Sequence, residues 1–487
     1  MDSDPYDSKF HHCSPLHSPL MCGWRRKKVT MKGGKRRSPW KKVIIYFAPC
    51  GKPLYEMPEV GEYLRETRSM FTIDCFTFSE EVNTEIYISV TDKKYVKVDD
   101  FSGGVEGIPI PLVNTVDDEA PPKMEYSKRR FQFDQTVSLG SINRDFCSGC
   151  SCEGDCSDAT KCECQQLTMQ SIARLPKHLQ YNGKEKMIPL YENRVLHNKV
   201  ISGMYECNDQ CSCHRKACHN RVVQNNIKYP MQIFKTAQSG WGVRALTDIP
   251  SGSFICNYVG ALLTNDLADQ LKNDDQYFAD LDLKDSVETH KMMENDPDID
   301  ADYGYGGDSE YNSEEEREHV DGDGEDSADD ARDKTVVMKS TNKNGSSSMV
   351  ETRQTRRKEQ EEKDKEEKGD DGEEDDEEDG EESKKEQVEE VFNWDAYFKD
   401  SALFVVDAKQ RGNLGRFLNH SCEPNVQVQH VLYDTHDLRL PWVAFFTTKP
   451  VKAGDELCWD YAYTVLNPDV ERLSCHCGAK TCRRRLL

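Results

Sequence analysis

No run of apolar residues in this chain approaches the ~20 that a membrane-spanning helix needs. The N-terminal segment Met1–Leu20 is polar and lacks the apolar core of a secretory signal. Acidic side chains are missing from residues 25–42, and aliphatic ones are scarce between Asp285 and Glu390. The first two absences argue against a membrane partner and against an oxidised, disulfide-bonded secreted framework. The other two mark a polycation and a polyanion set into otherwise ordinary sequence.

Cysteine is what the chain has in unusual supply. Ten of its 20 cysteines fall between Cys147 and Cys218, in two bursts. The first comprises Cys150, Cys152, Cys156, Cys162 and Cys164, and the second Cys207, Cys211, Cys213 and Cys218. Gaps this short bring several thiolates within reach of one ion, so these nine are the expected metal ligands. Three tetrahedral zinc ions need twelve bonds, and nine sulfurs supply twelve if six bind once and three bridge. A compact three-zinc cluster is the simplest arithmetic.

The length of 487 residues allows two to four domains. The formal charge of −24 is concentrated in one place. Between Asp285 and Glu390 lie 41 of the 88 acidic and 15 of the 64 basic side chains, leaving 47 and 49 elsewhere. Such a composition cannot bury enough apolar surface to offset its ordering entropy, so disorder is expected there. A charge-paired helix around Arg353–Lys368 is the one exception the pattern suggests. Strand-like runs stand on both sides: Met231-Gln-Ile-Phe-Lys, Ser253-Phe-Ile-Cys-Asn-Tyr-Val and Tyr277-Phe-Ala-Asp-Leu before it, Leu403-Phe-Val-Val-Asp and Trp442-Val-Ala-Phe-Phe-Thr after it. The two blocks are either separate domains or one domain split by an insertion, which closes cheaply if its ends are near.

Ten basic residues, including Arg25, Arg26, Lys27, Lys28, Arg36 and Arg37, crowd residues 25–42. They read as a basic loop feeding the strand Val43-Ile-Ile-Tyr-Phe and a short helix with Val60, Tyr63 and Leu64 on one face. Contact with a phosphate backbone suits this charge. A nuclear-import signal or a solvated face suits it equally.

Four short segments carry chemistry. Ser239-Gly-Trp-Gly-Val-Arg244 offers glycines where a backbone can approach a ligand and an aromatic to pack on it. Gly415-Arg-Phe-Leu-Asn-His-Ser-Cys-Glu-Pro-Asn425 sets an amide, an imidazole and a thiol close together. Glu456-Leu-Cys-Trp-Asp-Tyr461-Ala-Tyr463 puts tyrosines beside a strand end. Cys475, Cys477 and Cys482 have metal spacing but are one ligand short of a tetrahedral site.

In combination, the cysteine array, the Gly-Trp-Gly turn, the Asn419-His-Ser-Cys segment and the terminal cysteines resemble the pre-SET, SET and post-SET segments of histone lysine methyltransferases. The acidic interruption and the basic module ahead look like the SETDB branch, in its shorter form without Tudor domains or as a fragment. The resemblance implies an α+β, mainly β chain: a SET-domain β-fold with a threaded C-terminal segment, zinc-binding pre-SET and post-SET parts, and a small N-terminal methyl-CpG-binding-like domain. The corresponding layout is disorder at 1–22, the methyl-CpG-binding-like domain at 23–80 and a linker at 81–146. The pre-SET cluster follows at 147–222, the SET halves at 229–285 and 393–465 around a disordered insertion at 286–392, and the post-SET at 474–487.

By the same resemblance Cys422 completes a fourth zinc site with Cys475, Cys477 and Cys482. S-adenosylmethionine is expected against Gly240, Trp241, Tyr258, Arg416, Asn419 and His420. Tyr461 matches the catalytic tyrosine, Tyr277 a second tyrosine of the lysine channel, and Trp459 the position that governs product methylation. Tryptophan there removes a hydroxyl that would bind the amine or a water, so di- or trimethylation is expected. In the N-terminal module Val43 and Tyr55 stand where methyl-CpG readers carry an aspartate and an arginine, and Arg26 is left as the one base-contacting candidate. DNA-backbone or protein binding without strong methyl-CpG preference follows.

The implied activity is methylation of histone H3, at lysine nine, in the nucleus and on chromosomes, promoting heterochromatin and silencing with repressor-complex partners. A catalytically inactive chromatin adaptor and a methyltransferase of a non-histone lysine are the alternatives. Asn419, His420 and Tyr461 are residues an adaptor would not need.

Overall fold

The computed structural model describes residues 10, 13–32, 40–89, 95–133, 137, 147–173, 175, 181–182, 185–186, 190–271, 277–281, 283, 404–461 and 474–485. The insertion at 286–392, the helix expected around Arg353–Lys368, and Arg36, Arg37 and Tyr463 lie outside them. No helix among the described residues is long and apolar enough to cross a membrane.

The N-terminal domain is a three-stranded antiparallel sheet with a helix across it. Strands Arg25–Lys32 and Trp40–Phe47 pair from Arg25↔Phe47 to Lys32↔Trp40, and Pro53–Leu54 adds the third. The basic run expected as a loop is therefore in large part a strand, because an antiparallel partner satisfies its backbone and alternation points successive cations to opposite faces. Helix Met57–Glu66 begins with Pro58 in its first turn, where no N–H is required, and buries Val60 and Leu64. Trp24, Tyr46, Phe71 and Phe76 fill the core with edge-on aromatic contacts.

Beyond the N-terminal domain, the described residues form three two-stranded sheets and three four-stranded ones. One orders Met204–Tyr205, Val426–Leu432, Trp442–Thr447 and Phe254–Asn257. A second orders Trp241–Ala245, Met231–Lys235, Leu112–Asn114 and Val96–Val98. The third orders Phe278–Asp280, Phe404–Asp407, Ala261–Thr264 and Phe131–Gln132. Strands from before and after the acidic insertion pair directly with one another in the first and third sheets, so the two blocks make one domain. Asp280 pairs with Val405, and Leu281 N–H donates to Phe404 O at 3.2 Å. The ends of the insertion are thus adjacent, and a long excursion between them adds little closure entropy.

Two boundaries expected from the sequence are corrected. Residues 13–22 are ordered: Ser18–Met21 is a short helix, and Leu16 is fully buried in the core that also holds Val82, Ile227, Tyr229 and Met231. The few apolar residues of this polar stretch find burial only where two other parts of the chain meet. Residues 81–146 are no mere linker either, since Val96–Val98, Leu112–Asn114, Glu125–Tyr126 and Phe131–Gln132 all enter sheets. Each of these strands is two or three residues long, too short for alternation to be read.

Asp74 welds the N-terminal domain to the rest. It pairs with Lys228, just ahead of strand Met231–Lys235, and with Arg194 Nη1 at 3.4 Å. Arg194 Nε in turn donates to Cys218 O at 3.1 Å. Burial pushes the Asp74 carboxyl up, but the two cations outweigh it and hold it well below the usual carboxylate range. A depressed native pKa means stability that is full above the unfolded value of about 3.9 and is lost as pH falls through the native one. Asp74→Asn leaves two buried cations without a counterion and is expected to cost about 3–5 kcal/mol at neutral pH, read from urea unfolding with zinc present. The gap to wild type should narrow below pH ~4.

Candidate active site and metal centres

All nine cysteines of the two bursts gather in one cluster, seven of them buried. Their sulfurs stand 3.6–3.9 Å apart: Cys150–Cys156 3.9, Cys150–Cys207 3.8, Cys162–Cys207 3.7 and Cys164–Cys211 3.6 Å. A disulfide would bring them to about 2.05 Å. Four sulfurs 2.3 Å from a tetrahedral zinc are about 3.8 Å from one another, so the spacing fits metal. Three overlapping tetrads recur around Cys150, with Cys156, Cys162 and Cys207 shared by two each. More than one ion in such a set requires bridging sulfurs. Helix Glu163–Ala173, which no sequence signal announced, starts between two of these cysteines, and Gln165 on it donates to Cys156 O at 2.7 Å.

A fourth tetrad joins Cys422 to Cys475, Cys477 and Cys482, with Cys422 and Cys475 sulfurs 3.8 Å apart. Cys422 follows His420 by two residues, so this site pins the chain's last segment beside the candidate catalytic residues.

Those residues meet where two segments cross. Asn419–His420 pairs in parallel with Cys458–Trp459. The same stretch touches strand Trp241–Ala245 on its other side, through Leu457 N–H to Val243 O at 2.8 Å and the Arg244↔Glu456 bridge. The C-terminal segment is therefore threaded between two others. Tyr461 N–H donates to His420 Nδ1 at 3.2 Å, and His420 Nε2 lies 3.4 Å from Cys422 Sγ and 3.5 Å from Arg483 Nη2. Burial lowers the His420 pKa against the pull of Asp460, so the ring is neutral at pH 7.

An aromatic wall runs from this crossing. Tyr461 Oη and Trp459 Nε1 both donate to Leu418 O, at 3.0 and 3.1 Å, with their rings 4.9 Å apart. Trp459 meets Phe445 edge-on at 5.3 Å, and Phe445 meets Tyr258 at 6.3 Å. Tyr258 Oη donates to Tyr277 O at 2.7 Å, and the Arg416 guanidinium lies 4.0 Å over the Tyr277 ring. Tyr461, Trp459, Phe445, Tyr258, Tyr277 and Arg416 are thus linked by one chain of contacts.

On the other flank, Gly240 adopts φ +66°, the left-handed region open to glycine, in the turn between strands Met231–Lys235 and Trp241–Ala245. Trp241 Nε1 donates to Glu119 Oε1 at 3.2 Å. Gly242 is needed for a different reason. A Cβ there would come within 2.4 Å of Glu456 Oε1 and 3.0 Å of Asn419 Nδ2, which bond each other at 2.8 Å.

The basic residues of the N-terminal hairpin divide by face. Arg26 Nη2 donates to Ser79 O at 2.6 Å and Lys28 pairs with Glu80 at 3.1 Å, while Arg25 and Lys27 lie over the Phe47 ring at 5.3 and 5.6 Å. The guanidinium left as a base-contacting candidate, that of Arg26, is engaged by backbone carbonyls of its own domain.

Three family models match the chain: the methyl-CpG binding domain over residues 10–102, the Pre-SET motif over 102–221 and the SET domain over 240–462. The histone-lysine N-methyltransferase SETDB2 of Xenopus tropicalis is 30% identical over 97% of this chain and 75% of its own length. The chain belongs to the SETDB family of SET-domain proteins. Histone-lysine N-methyltransferase met-2 of Caenorhabditis elegans is 59% identical over 100% of this chain, and eggless of Drosophila melanogaster 37% identical over 97%. The chain spans only 37% and 35% of those two relatives' lengths.

Within this SETDB-type chain, several site residues escaped sequence reasoning. Glu119 comes from a segment taken for linker, and no local pattern ties it to Trp241. Glu456 and Asp460 were in view as part of a quoted motif, but an acid beside a tyrosine carries no signal of which side chain it will face. Leu418 acts through its carbonyl, which no side-chain pattern reveals.

Metal analysis tests both cysteine sites. The purified chain is expected to hold four zinc ions, and Cys422→Ser three. A chelator titration should remove the post-SET ion first, because Cys422, Cys477 and Cys482 are each partly exposed whereas most of the pre-SET sulfurs are buried.

Proposed function

We propose that this SETDB-type chain transfers a methyl group from S-adenosylmethionine to a lysine of histone H3, lysine nine, to the di- or trimethylated state. The observation that carries the reading is the crossing at residues 456–461, where Tyr461 N–H donates to His420 Nδ1 at 3.2 Å and Leu457 N–H donates at 2.8 Å to Val243 O, which belongs to the block on the other side of the acidic insertion. Asn419, His420, Arg416, Tyr258, Gly240 and Trp241 surround that crossing and are the residues assigned to the cofactor. When bound, S-adenosylmethionine supplies a methyl group on a cationic sulfur.

The chain's own part is to present a neutral amine and to align it. A free lysine has a pKa near 10.4 and is almost wholly protonated at pH 7. A channel walled by Tyr277, Trp459, Phe445 and Tyr461 disfavours the ammonium by desolvation. The amine nitrogen then forms its bond to the methyl carbon as the carbon–sulfur bond breaks, and its surplus proton leaves to water. The Tyr461 hydroxyl, held by Leu418 O at 3.0 Å, stands at the mouth of that path. Alignment of this kind is worth several kcal/mol. The Trp459 N–H is committed to the same carbonyl at 3.1 Å, so the indole offers neither a hydroxyl nor a spare donor to hold a partly methylated amine or a water. That supports products beyond monomethyl. A nuclear, chromosomal site of action promoting heterochromatin and silencing follows from a histone substrate, and repressor-complex proteins are the partners this role would use.

Incubation with labelled S-adenosylmethionine and recombinant histones tests the proposal. Label is expected on H3, with Tyr461→Phe slowing transfer by about a hundredfold or more, since small misplacements carry costs of that order. His420→Ala should abolish labelling, and the mass spectrum of the H3 peptide should pass one methyl. Unlabelled histones, or a product halted at monomethyl, would contradict the assignment.

For the N-terminal domain we read DNA-backbone binding without strong methyl-CpG preference. Arg26 is occupied by Thr77 and Ser79 carbonyls, and Val43 and Tyr55 lack the polar groups that base readout needs. Gel shifts with methylated and unmethylated probes should agree within tenfold and weaken together as salt rises.

A further inference from the structure

One charged contact links the terminal metal site to the segment that carries Tyr461. Arg483 directly follows the ligand Cys482. Its backbone N–H donates to Cys422 Sγ at 3.4 Å, and its Nη2 donates to Asp460 Oδ1 at 2.8 Å. Asp460 stands between Trp459, whose strand partner is His420, and Tyr461, whose N–H donates to His420 Nδ1. The same carboxylate oxygen lies 3.5 Å from His420 Nδ1. Arg483 Nη2 also lies 3.5 Å from His420 Nε2, so the guanidinium touches both the carboxylate next to Tyr461 and the imidazole that accepts its N–H. With side chains only 23% and 31% exposed, the Arg483–Asp460 pair is screened less than a surface pair.

We propose that Arg483 is a positioning residue for methyl transfer, which conveys the closing of the Cys422, Cys475, Cys477 and Cys482 site to the Trp459–Tyr461 segment through Asp460. The inference rests on the methyltransferase reading for its kinetic consequence, though not for its structural one. Pinning the tail on metal fixes where Arg483 starts, and the guanidinium then fixes Asp460 and, one bond along the chain, the amide that anchors Tyr461 to His420.

The test compares the zinc-loaded full chain with Arg483→Ala, Arg483→Lys, Asp460→Asn and the Arg483→Ala/Asp460→Asn double variant. Zinc content is measured by elemental mass spectrometry, amide exchange at residues 458–461 by hydrogen–deuterium exchange, and kcat and KM on H3. Arg483→Ala is expected to keep its zinc, to exchange the Tyr461 amide at least about tenfold faster, and to lose between about ten- and a hundredfold in kcat with little change in peptide KM. Arg483→Lys should restore most of both, and the double variant should be no worse than either single one. Loss of zinc in Arg483→Ala, unchanged exchange and kcat, or multiplying defects in the double variant would each overturn the proposal. A wild-type chain that transfers no methyl group would instead overturn the methyltransferase reading, while the exchange comparison still decides the role of Arg483.

Discussion

The candidate site depends on a two-residue parallel pairing, Asn419–His420 against Cys458–Trp459. The later segment is clamped from both sides, because strand Trp241–Ala245 bonds it where Asn419–His420 does not. Asn425 locks the crossing, donating to Glu456 O at 2.8 Å and accepting from Cys458 N–H at 2.9 Å. A slip of one residue would exchange Trp459 with Cys458 and turn the indole away from Leu418. Trp459 and Tyr461 take their places from this register.

Metal replaces hydrophobic core where the chain has little of it. The described residues between Cys147 and Cys218 form loops, one helix and three two-residue strands, and the cluster interior is sulfur. Around it, polar groups are satisfied locally: Glu206, fully buried beside Cys207, accepts from Tyr191 Oη and from the Val222 and Val223 amides. Those amides open the stretch that leads into strand Met231–Lys235. Ligand geometry in the cluster is thereby carried into the sheet that bears the Gly-Trp turn. The terminal tetrad acts closer to the chemistry, joining the tail to the residue two places after His420.

The N-terminal domain is built into this assembly. Leu16 lies in the catalytic core, Asp74 bonds Lys228 and Arg194, and Asp248 accepts from the Asn83 amide at 3.0 Å. A basic hairpin held this way presents its Arg25 and Lys27 face in a fixed relation to the sheets that carry Trp241 and Tyr258. Arg26 and Lys28 contribute to holding the hairpin to residues 77–80 instead.

Local chemistry was legible without coordinates. Cysteine spacing picked out both cysteine clusters except for Cys422, which the resemblance supplied, the strand-like runs Met231-Gln-Ile-Phe-Lys and Trp442-Val-Ala-Phe-Phe-Thr became the strands Met231–Lys235 and Trp442–Thr447, and the Gly-Trp-Gly and Asn-His motifs are two of the segments that meet at residues 456–461. Composition alone singled out the acidic insertion as foreign to the strands around it. Hidden from view were the partners: Glu119 for Trp241, Leu418 O for two aromatic donors, Asp460 for Arg483, and the burial of Leu16. Residue type and short-range spacing dictate which groups can bind metal, pack or donate, because those properties belong to the side chain and its neighbours. Which group meets which across hundreds of residues was decided only by the threading of the C-terminal segment, since that contact's geometry belongs to the pair and to neither sequence alone.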